Sequence, residues 1–183
     1  MSRVDKKGRP EDSFGDQAVV IALGSNLAGA FGTTRELLEA ALGRIAGREI
    51  NILARSRWWR SAAWPDATQP DYLNGIAIVE THLPPRALMA VLLEVEREFG
   101  RERADPNAAR TLDLDLIAYD RQVVSEPGLT LPHPRAADRR FVMGPLAELS
   151  PYWTHPVSGQ SAAILTQSTA IGADATPVDA SPG

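Results

Sequence analysis

The sequence predicts a single α+β domain in which helices pack on a mainly antiparallel sheet. Several short segments show an unbroken apolar run or a strict apolar–polar alternation, the patterns of buried and half-buried β-strands. Two longer segments carry apolar residues at helical spacing. They follow one another as strand–helix–strand–strand–helix–strand, the split βαβ order of a ferredoxin-like fold. This order places helices on one face of the sheet and leaves the opposite face open to a ligand.

The first strand and the first helix lie near the start of the chain. Residues 18–23 form a short apolar run that ends in the turn-forming residues 24–26. Thr33 is the predicted N-cap of the helix that follows, and Glu36 completes a capping box three residues later. An apolar stripe then runs to Gly47, which stands where a C-terminal glycine is expected.

Two strands and a second helix come next. Residues 50–60 and 73–81 are predicted as strands. The loop between them, residues 61–71, is longer than most connections in compact domains, and loops of this length are often functional. The second helix begins at residues 84–85, where proline is tolerated in the first turn, and ends at Gly100.

The remaining elements follow an irregular stretch at residues 101–109. This stretch leads directly into an alternating segment, residues 110–117, which is the last strand of the pattern. Residues after 120 are predicted to be rich in loops, with one short helix at residues 144–149.

The two ends of the chain are polar and rich in small residues. Residues 1–16 are predicted to be a disordered leader and residues 166–183 a disordered tail, so the folded domain spans residues 17–165. The net charge of −4 provides no basic field that would attract nucleic acid or an anionic membrane. No apolar run of about 18 residues is present. The absence of cysteine excludes a disulfide scaffold and a thiolate metal site, and it fits a cytoplasmic location.

The alternating segment at residues 110–117 is the most informative stretch of the chain. Its leucines share one face of the strand, so Asp113 and Asp115 project side by side from the other. Two adjacent carboxylates on a strand are unfavourable unless a cation lies between them. Oxygen ligands on a rigid strand suit Mg²⁺, which completes its octahedron with water and phosphate oxygens. The alternative is a solvated strand face that carries two acids.

Cationic side chains lie near this acidic pair in the sequence. Arg101, Arg103 and Arg110 flank the irregular stretch, and arginine is suited to bidentate phosphate contacts. His133 is held between two prolines in a stiff turn, and Arg139 follows shortly after. These groups are predicted to bind phosphate. The alternatives are that the arginines belong to a solvated loop and that His133 has a structural role.

Two aromatic residues and one amide could bind a flat heterocycle. If Tyr72 and Phe141 both face the cleft, their rings could sandwich such a ring, and Asn74 could hydrogen-bond to its edge. The alternative is that both aromatic residues belong to the core. Glu96 lies beside the apolar stripe of the second helix and is predicted to be a surface acid.

Six segments in order make the chain resemble the 6-hydroxymethyl-7,8-dihydropterin pyrophosphokinase family of folate biosynthesis. The matching segments are Ala22-Leu-Gly-Ser-Asn26, Gln69-Pro-Asp-Tyr-Leu-Asn74, Glu96 with Gly100-Arg101, Arg110-Thr-Leu-Asp-Leu-Asp115, Leu131-Pro-His133, and Arg139-Arg-Phe141 before Pro145-Leu146. They span residues 18 to about 165. The resemblance implies a ferredoxin-like fold and transfer of pyrophosphate from ATP to the hydroxymethyl group of the pterin, with release of AMP.

The resemblance also implies roles for individual residues. Asp113 and Asp115 would hold two Mg²⁺ ions that bridge the ATP phosphates. The residues implied in binding the pterin are Ser61, Trp64, Tyr72, Asn74 and Phe141; those implied in binding ATP are Arg101, Arg110, Thr130, His133 and Arg139; and those implied in catalysis are Arg101, Arg110 and Asp115. The loops at about 61–71 and 101–109 would close over the two substrates. A monomer without nucleic-acid or membrane partners is expected.

The chain departs from the family pattern in three places. Asn107-Ala-Ala109 stands where many members carry Trp-x-Pro, in a stretch that is about one residue shorter. Ser61-Ala62-Ala63 stands where the family often has Thr-Pro-Pro, which predicts retained pterin binding with a looser loop. Pro134 replaces a tyrosine that often follows the histidine.

Two other functions fit parts of the pattern. Another Mg²⁺-dependent nucleotidyl- or phosphotransferase on a ferredoxin-like scaffold would use the aspartates, but it would not be expected to carry the pterin-side residues. An RNA-binding domain would need a basic, aromatic-rich sheet face, whereas this chain offers acids there.

Overall fold

The computed structural model describes residues 14–100 and 111–178. The strands are β1 (Val19–Ser25), β2 (Ile50–Arg55), β3 (Trp59–Ser61), β4 (Tyr72–Thr81), β5 (Asp113–Tyr119), β6 (Val124–Glu126), β7 (Leu129–Leu131) and β8 (Thr176–Pro177). The helices are α1 (Thr34–Ala46), α2 (Pro85–Glu98), α3 (Arg140–Leu149) and α4 (Ala162–Ser168). No helix in these two ranges is long and apolar enough to cross a membrane.

The main sheet has six strands in the described part of the chain. Its order is β5-β1-β4-β3-β8, and β2 pairs with β4 beside β3. All of these pairings are antiparallel. The strands β6 and β7 form a separate two-stranded hairpin. The predicted mixed fold of helices and a mainly antiparallel sheet, in a single domain, is confirmed.

Local sequence signals set the ends of the first two helices. The hydroxyl of Thr33 accepts a hydrogen bond from the backbone N–H of Glu36 at 3.1 Å, and Gly47 is the C-cap, as predicted. Pro85 begins α2, where its missing N–H leaves no hydrogen bond unmade. Apolar stripes on both helices pack against one face of the sheet and form the larger core.

The other face of the sheet is only partly open, which corrects one expectation. Helices α3 and α4 cover it with a second apolar cluster that includes Val20, Ile78, Ile117 and Met143. The sequence of β1 agrees with a sheet that is covered on both faces. Its apolar run is continuous because side chains on both faces of the strand are buried. One end of the sheet borders a cavity, beside Phe141 and Val142 at the start of α3.

Two predicted elements have different bounds in the structure. The strand predicted at 50–60 is two strands, separated by residues 56–58. At this break the Ser56 hydroxyl accepts from the N–H of Ile76, and the Ser56 N–H donates to the Ile76 carbonyl. The helix predicted at 144–149 begins earlier, at Arg140, and contains Pro145 in its interior.

The predicted boundaries of leader and tail are wrong for the described residues. Helix α4 continues to Ser168, and β8 pairs with β3 at the edge of the sheet. At the other end, the carbonyl of Phe14 accepts a hydrogen bond from Ser150, and the Asp16 carboxylate accepts one from the N–H of Thr154. The remainder of both predicted tails lies outside the described residues.

A glutamate on α3 holds this helix to β3. The Glu148 carboxylate accepts hydrogen bonds from the backbone N–H of Arg57 at 2.9 Å and from the indole of Trp59 at 3.1 Å. It also pairs with the Arg57 guanidinium at 3.3 Å. Burial alone would raise the pKa of this carboxyl, but these donors outweigh burial and lower the pKa below its usual value.

We expect Glu148→Gln to lower the free energy of unfolding by about 1 kcal/mol at neutral pH. Because the folded-state pKa is lowered, the carboxylate stabilises the fold above its unfolded-state pKa and loses this effect as the pH falls through the folded-state pKa. Urea unfolding of both proteins at pH 7 and at about pH 3 measures the difference, which should shrink in acid. Glu126→Gln is the matched control, because it removes one charge of an exposed ion pair with Arg86. An unchanged difference in acid would contradict this account.

Candidate active site

The strands β1, β4 and β5 meet at the open end of the sheet. Gly24 of β1 stands opposite Asn74 of β4 on one side and Asp113 of β5 on the other. Asp115 stands opposite Ala22. A Cβ at position 24 would lie 3.4 Å from the Asn74 amide oxygen and 3.7 Å from the Tyr72 ring. The glycine therefore keeps open the space between the amide, the ring and the acidic strand.

This end of the sheet forms the floor of a cavity of about 390 Å³. Its lining divides into two chemically different groups. One group is ionic or basic: Asp113, Asp115, His133, Arg135 and Arg139. The other combines rings, an amide and loop residues: Ser61, Ala62, Trp64, Asp66, Gln69, Tyr72, Asn74 and Phe141. A single cavity thus offers both charged side chains and aromatic rings to a ligand.

The acidic strand has the alternation that its sequence predicts. Leu112, Leu114 and Leu116 are 0%, 1% and 3% exposed, whereas both aspartates are half-buried on the cavity side. The strand is fixed from below by Glu96 of α2, whose carboxylate accepts a hydrogen bond from the Leu114 N–H at 2.7 Å.

The prediction that Glu96 is a surface acid is wrong. Its side chain is 2% exposed and lies within the buried stripe of α2. The sequence contained a signal for this position, because residue 96 is eight places after Leu88 and therefore belongs to the same helical face. A carboxylate there is explained by the strand N–H that it accepts.

His133 is tied to the acidic strand through its backbone. Its N–H donates to the Ile117 carbonyl at 2.8 Å, and its Nδ1 accepts from the Arg135 N–H at 3.3 Å. Burial lowers the pKa of the imidazole, and Arg139 and Arg135 lower it further against the opposing effect of Asp115. Burial and the two arginines favour the neutral ring, and the hydrogen bond accepted by Nδ1 assigns the proton of that form to Nε2.

Arg139 and Phe141 connect the two groups of lining residues. The Arg139 guanidinium carbon lies 5.7 Å from the centroid of the Phe141 ring, within cation–π range. Both residues are at the start of α3, so the helix presents a cation and an aromatic ring to the cavity together.

Hydrogen bonds orient the polar part of the ring-binding surface. Asn74 is 6% exposed, and its Nδ2 donates to the Ser61 hydroxyl at 3.0 Å and to the Trp59 carbonyl at 3.4 Å. Its amide oxygen is the nearest atom to a Cβ built at Gly24, at 3.4 Å, and both residues line the cavity. Asn26, for which no role was predicted, donates to the Pro70 carbonyl at 3.2 Å and so holds the end of the 61–71 loop.

Comparison with known proteins identifies the family. A family model described as 7,8-dihydro-6-hydroxymethylpterin-pyrophosphokinase matches residues 20–151. The chain belongs to this family. Family membership makes it a diphosphokinase, a transferase of folate biosynthesis.

Curated relatives and solved structures agree with this assignment. The chain is 37% identical over 161 residues to the 2-amino-4-hydroxy-6-hydroxymethyldihydropteridine pyrophosphokinase of Synechocystis sp., covering 88% of this chain and 79% of that protein. It is 39% identical over 136 residues to the enzyme of the same name from Pseudomonas aeruginosa, covering 74% of this chain and 82% of that protein. The wild-type HPPK-DHPS of Plasmodium falciparum superimposes with a TM-score of 0.64 at 12% identity, covering 82% of this chain and 44% of that chain. This last match concerns the fold alone.

The structure brings most of the predicted residues to one cavity. The predicted residues among its lining are Asp113, Asp115, His133, Arg139, Ser61, Trp64, Tyr72, Asn74 and Phe141. Thr130 is exposed on β7 and is not among the lining residues. Arg101, Arg103 and Arg110 lie outside the described residues, as does the 101–109 loop. Sequence reasoning gave no role to Arg135, which also lines the cavity.

Proposed function

We propose that this chain transfers the pyrophosphate group of ATP to the hydroxymethyl group of 6-hydroxymethyl-7,8-dihydropterin and releases AMP. The observation that carries the proposal is that one cavity is lined both by acidic and basic side chains and by aromatic rings with an amide. The hydroxymethyl oxygen forms a bond to the β-phosphorus as the bond from this phosphorus to the AMP oxygen breaks. The hydroxyl proton is lost, and Asp115 is a candidate acceptor.

The acidic strand is the proposed site of two Mg²⁺ ions that bind with ATP. Asp113 and Asp115 offer hard oxygen ligands on the cavity side of β5. The described residues contain no group of three or more potential metal ligands, which fits an ion that takes one or two carboxylates and completes its shell with water and phosphate. When bound, Mg²⁺ neutralises and polarises the phosphate oxygens.

The basic part of the cavity is proposed to hold the triphosphate. His133 offers its Nε2 proton as a hydrogen-bond donor, and Arg139 offers a guanidinium held over the Phe141 ring. Arg101 and Arg110, named from the family pattern, and Thr130 are proposed to complete the phosphate contacts. These residues position the phosphates and neutralise charge that develops on the transferred group and on AMP.

The other part of the cavity is proposed to hold the pterin. Tyr72 and Phe141 supply the rings, and the amide oxygen of Asn74, held toward the cavity, accepts from the pterin edge. Ser61 fixes the Asn74 amide, while Trp64 on the 61–71 loop is 54% exposed and able to cover a bound ring. The two loops at 61–71 and 101–109 are proposed to close over the substrates.

The strand order supports a ferredoxin-like arrangement. The elements β1-α1-β2-β4-α2-β5 follow the split βαβ order, with β4 between β1 and β2 and with β1 between β4 and β5. A monomer that binds ATP and the pterin, without nucleic-acid or membrane partners, is part of the proposal. The net charge of −4 and the acidic strand at the cavity support this view.

An assay of the full-length chain with ATP, Mg²⁺ and 6-hydroxymethyl-7,8-dihydropterin tests the reaction. AMP release that depends on the pterin is expected. We expect Phe141→Ala to raise the KM for the pterin roughly ten- to hundredfold, because one stacking surface is lost, and to raise the KM for ATP less, because Arg139 loses only its cation–π contact.

Tyr152→Ala, which removes an exposed ring outside the cavity lining, is the control and should behave like the wild type. Release of pyrophosphate in place of AMP would indicate a nucleotidyltransferase, and release of ADP would indicate transfer of a single phosphoryl group. Equal changes in both KM values for Phe141→Ala would contradict the placement of the pterin.

A further inference from the structure

The segment of residues 169–178, which we call the C-terminal strap, crosses from α4 to the edge of the main sheet. Its far end pairs with β3, and the Val178 N–H donates to the Trp58 carbonyl at 2.7 Å. Its near end is fixed at Ile171, whose N–H donates to the Asp138 carbonyl and whose carbonyl accepts from the Arg140 N–H. Both ends of the strap are therefore attached to elements that form the cavity.

The middle of the strap is a buried turn. The N–H of Ala175 donates to the Gly172 carbonyl at 2.9 Å, and Ala175 is fully buried. The Arg140 guanidinium reaches around this turn and donates to the Ala175 carbonyl and to the Thr166 carbonyl, each at 3.3 Å. Asp174 lies in this turn, so these hydrogen bonds fix the backbone that carries its side chain.

The strap contacts the ring-binding surface at Phe141. Gly172 has a φ of +69°, and a Cβ there would lie 2.5 Å and 3.1 Å from two carbons of the Phe141 ring. Only glycine allows the backbone to approach the ring this closely. The strap therefore packs against Phe141, which lines the cavity.

The strap also contacts the 61–71 loop. The Asp174 carboxylate accepts a hydrogen bond from the backbone N–H of Ala62 at 2.6 Å. Ala62 lines the cavity and follows Ser61, the residue that fixes the Asn74 amide. Asn26 holds the other end of the loop at Pro70.

This contact requires a residue with an N–H at position 62. The chain has Ser61-Ala62-Ala63 at the start of this loop, and a proline at position 62 would have no N–H to donate. The Ala62 N–H is therefore the donor that ties the start of the loop to the strap.

We propose that Asp174 is a positioning residue for the pterin site, holding the start of the 61–71 loop through the backbone N–H of Ala62. The inference rests on the proposed pterin site. Asp174 acts on the loop backbone and not on substrate, so its removal should affect pterin binding and leave ATP binding unchanged. The strap, which the sequence suggests is a disordered tail, is part of the active-site structure.

The test compares the full-length wild type with Asp174→Ala and Asp174→Asn. Pterin affinity is measured by titration in the presence of saturating non-hydrolysable ATP analogue, and affinity for the analogue is measured separately. Amide hydrogen exchange at Ala62 reports the contact directly. Glu80→Ala, on the exposed part of β4, is the matched control.

We expect Asp174→Ala to weaken pterin binding about three- to tenfold and to speed exchange at Ala62, with unchanged affinity for the analogue. Asp174→Asn should lose less, because its amide oxygen can still accept the N–H. Faster exchange at Ala62 with unchanged pterin affinity would overturn the proposal, as would an equal loss of affinity for both ligands. If Phe141→Ala also leaves pterin affinity unchanged, the pterin site itself is misplaced.

Discussion

Replacing Asp113 by asparagine is expected to lower kcat on the order of a thousandfold while the protein stays folded. Asparagine has the shape of aspartate but no negative charge, so it is a poor ligand for Mg²⁺. The side chain is half-buried on the cavity side of β5, opposite Gly24. Removing one of two neighbouring anions should not destabilise the strand.

The measurement is AMP release at saturating ATP and pterin over a range of Mg²⁺ concentrations, together with urea unfolding. The variant should need more Mg²⁺ for half-maximal activity and should remain far below wild-type kcat at every concentration. Asp138→Asn, outside the cavity lining, is the control for loss of one acidic side chain. A wild-type kcat for Asp113→Asn would show that the reaction does not depend on the acidic pair.

The acidic strand could be predicted because its information is local. A period of two places Asp113 and Asp115 on one face whatever surrounds the strand, and the burial of the leucines agrees. The α1 caps at Thr33 and Gly47 were predictable for the same reason, since each depends on a few neighbouring residues. Many residues that line the cavity could be named in advance from the ends of the predicted strands and from the family pattern.

The parts that sequence reasoning missed depend on distant partners. The strap is short and rich in small residues, and its order comes from backbone pairing with β3 and from the Arg140 guanidinium. No periodicity in residues 169–178 encodes those contacts. Gly172 is typical of a flexible tail in sequence, but in the structure it allows close packing against Phe141.

Glu96→Ala is expected to have the largest effect on stability, lowering the free energy of unfolding by about 3 kcal/mol. The substitution leaves the Leu114 N–H buried without its acceptor and opens a gap beneath β5. Because Leu114 lies between the two aspartates, the same change should loosen their spacing and lower kcat. Urea unfolding and the AMP assay measure both effects.

Glu94→Ala is the matched control, because Glu94 lies on the same helix but forms an exposed pair with Arg48. Its loss should change the free energy of unfolding by less than about 1 kcal/mol and leave kcat unaltered. Glu96→Gln separates hydrogen bonding from charge, since its amide oxygen can still accept the Leu114 N–H. If Glu96→Gln is as unstable as Glu96→Ala, the strand N–H is not what fixes Glu96 in the core. If both variants match the control, the acidic strand is held by its sheet neighbours alone.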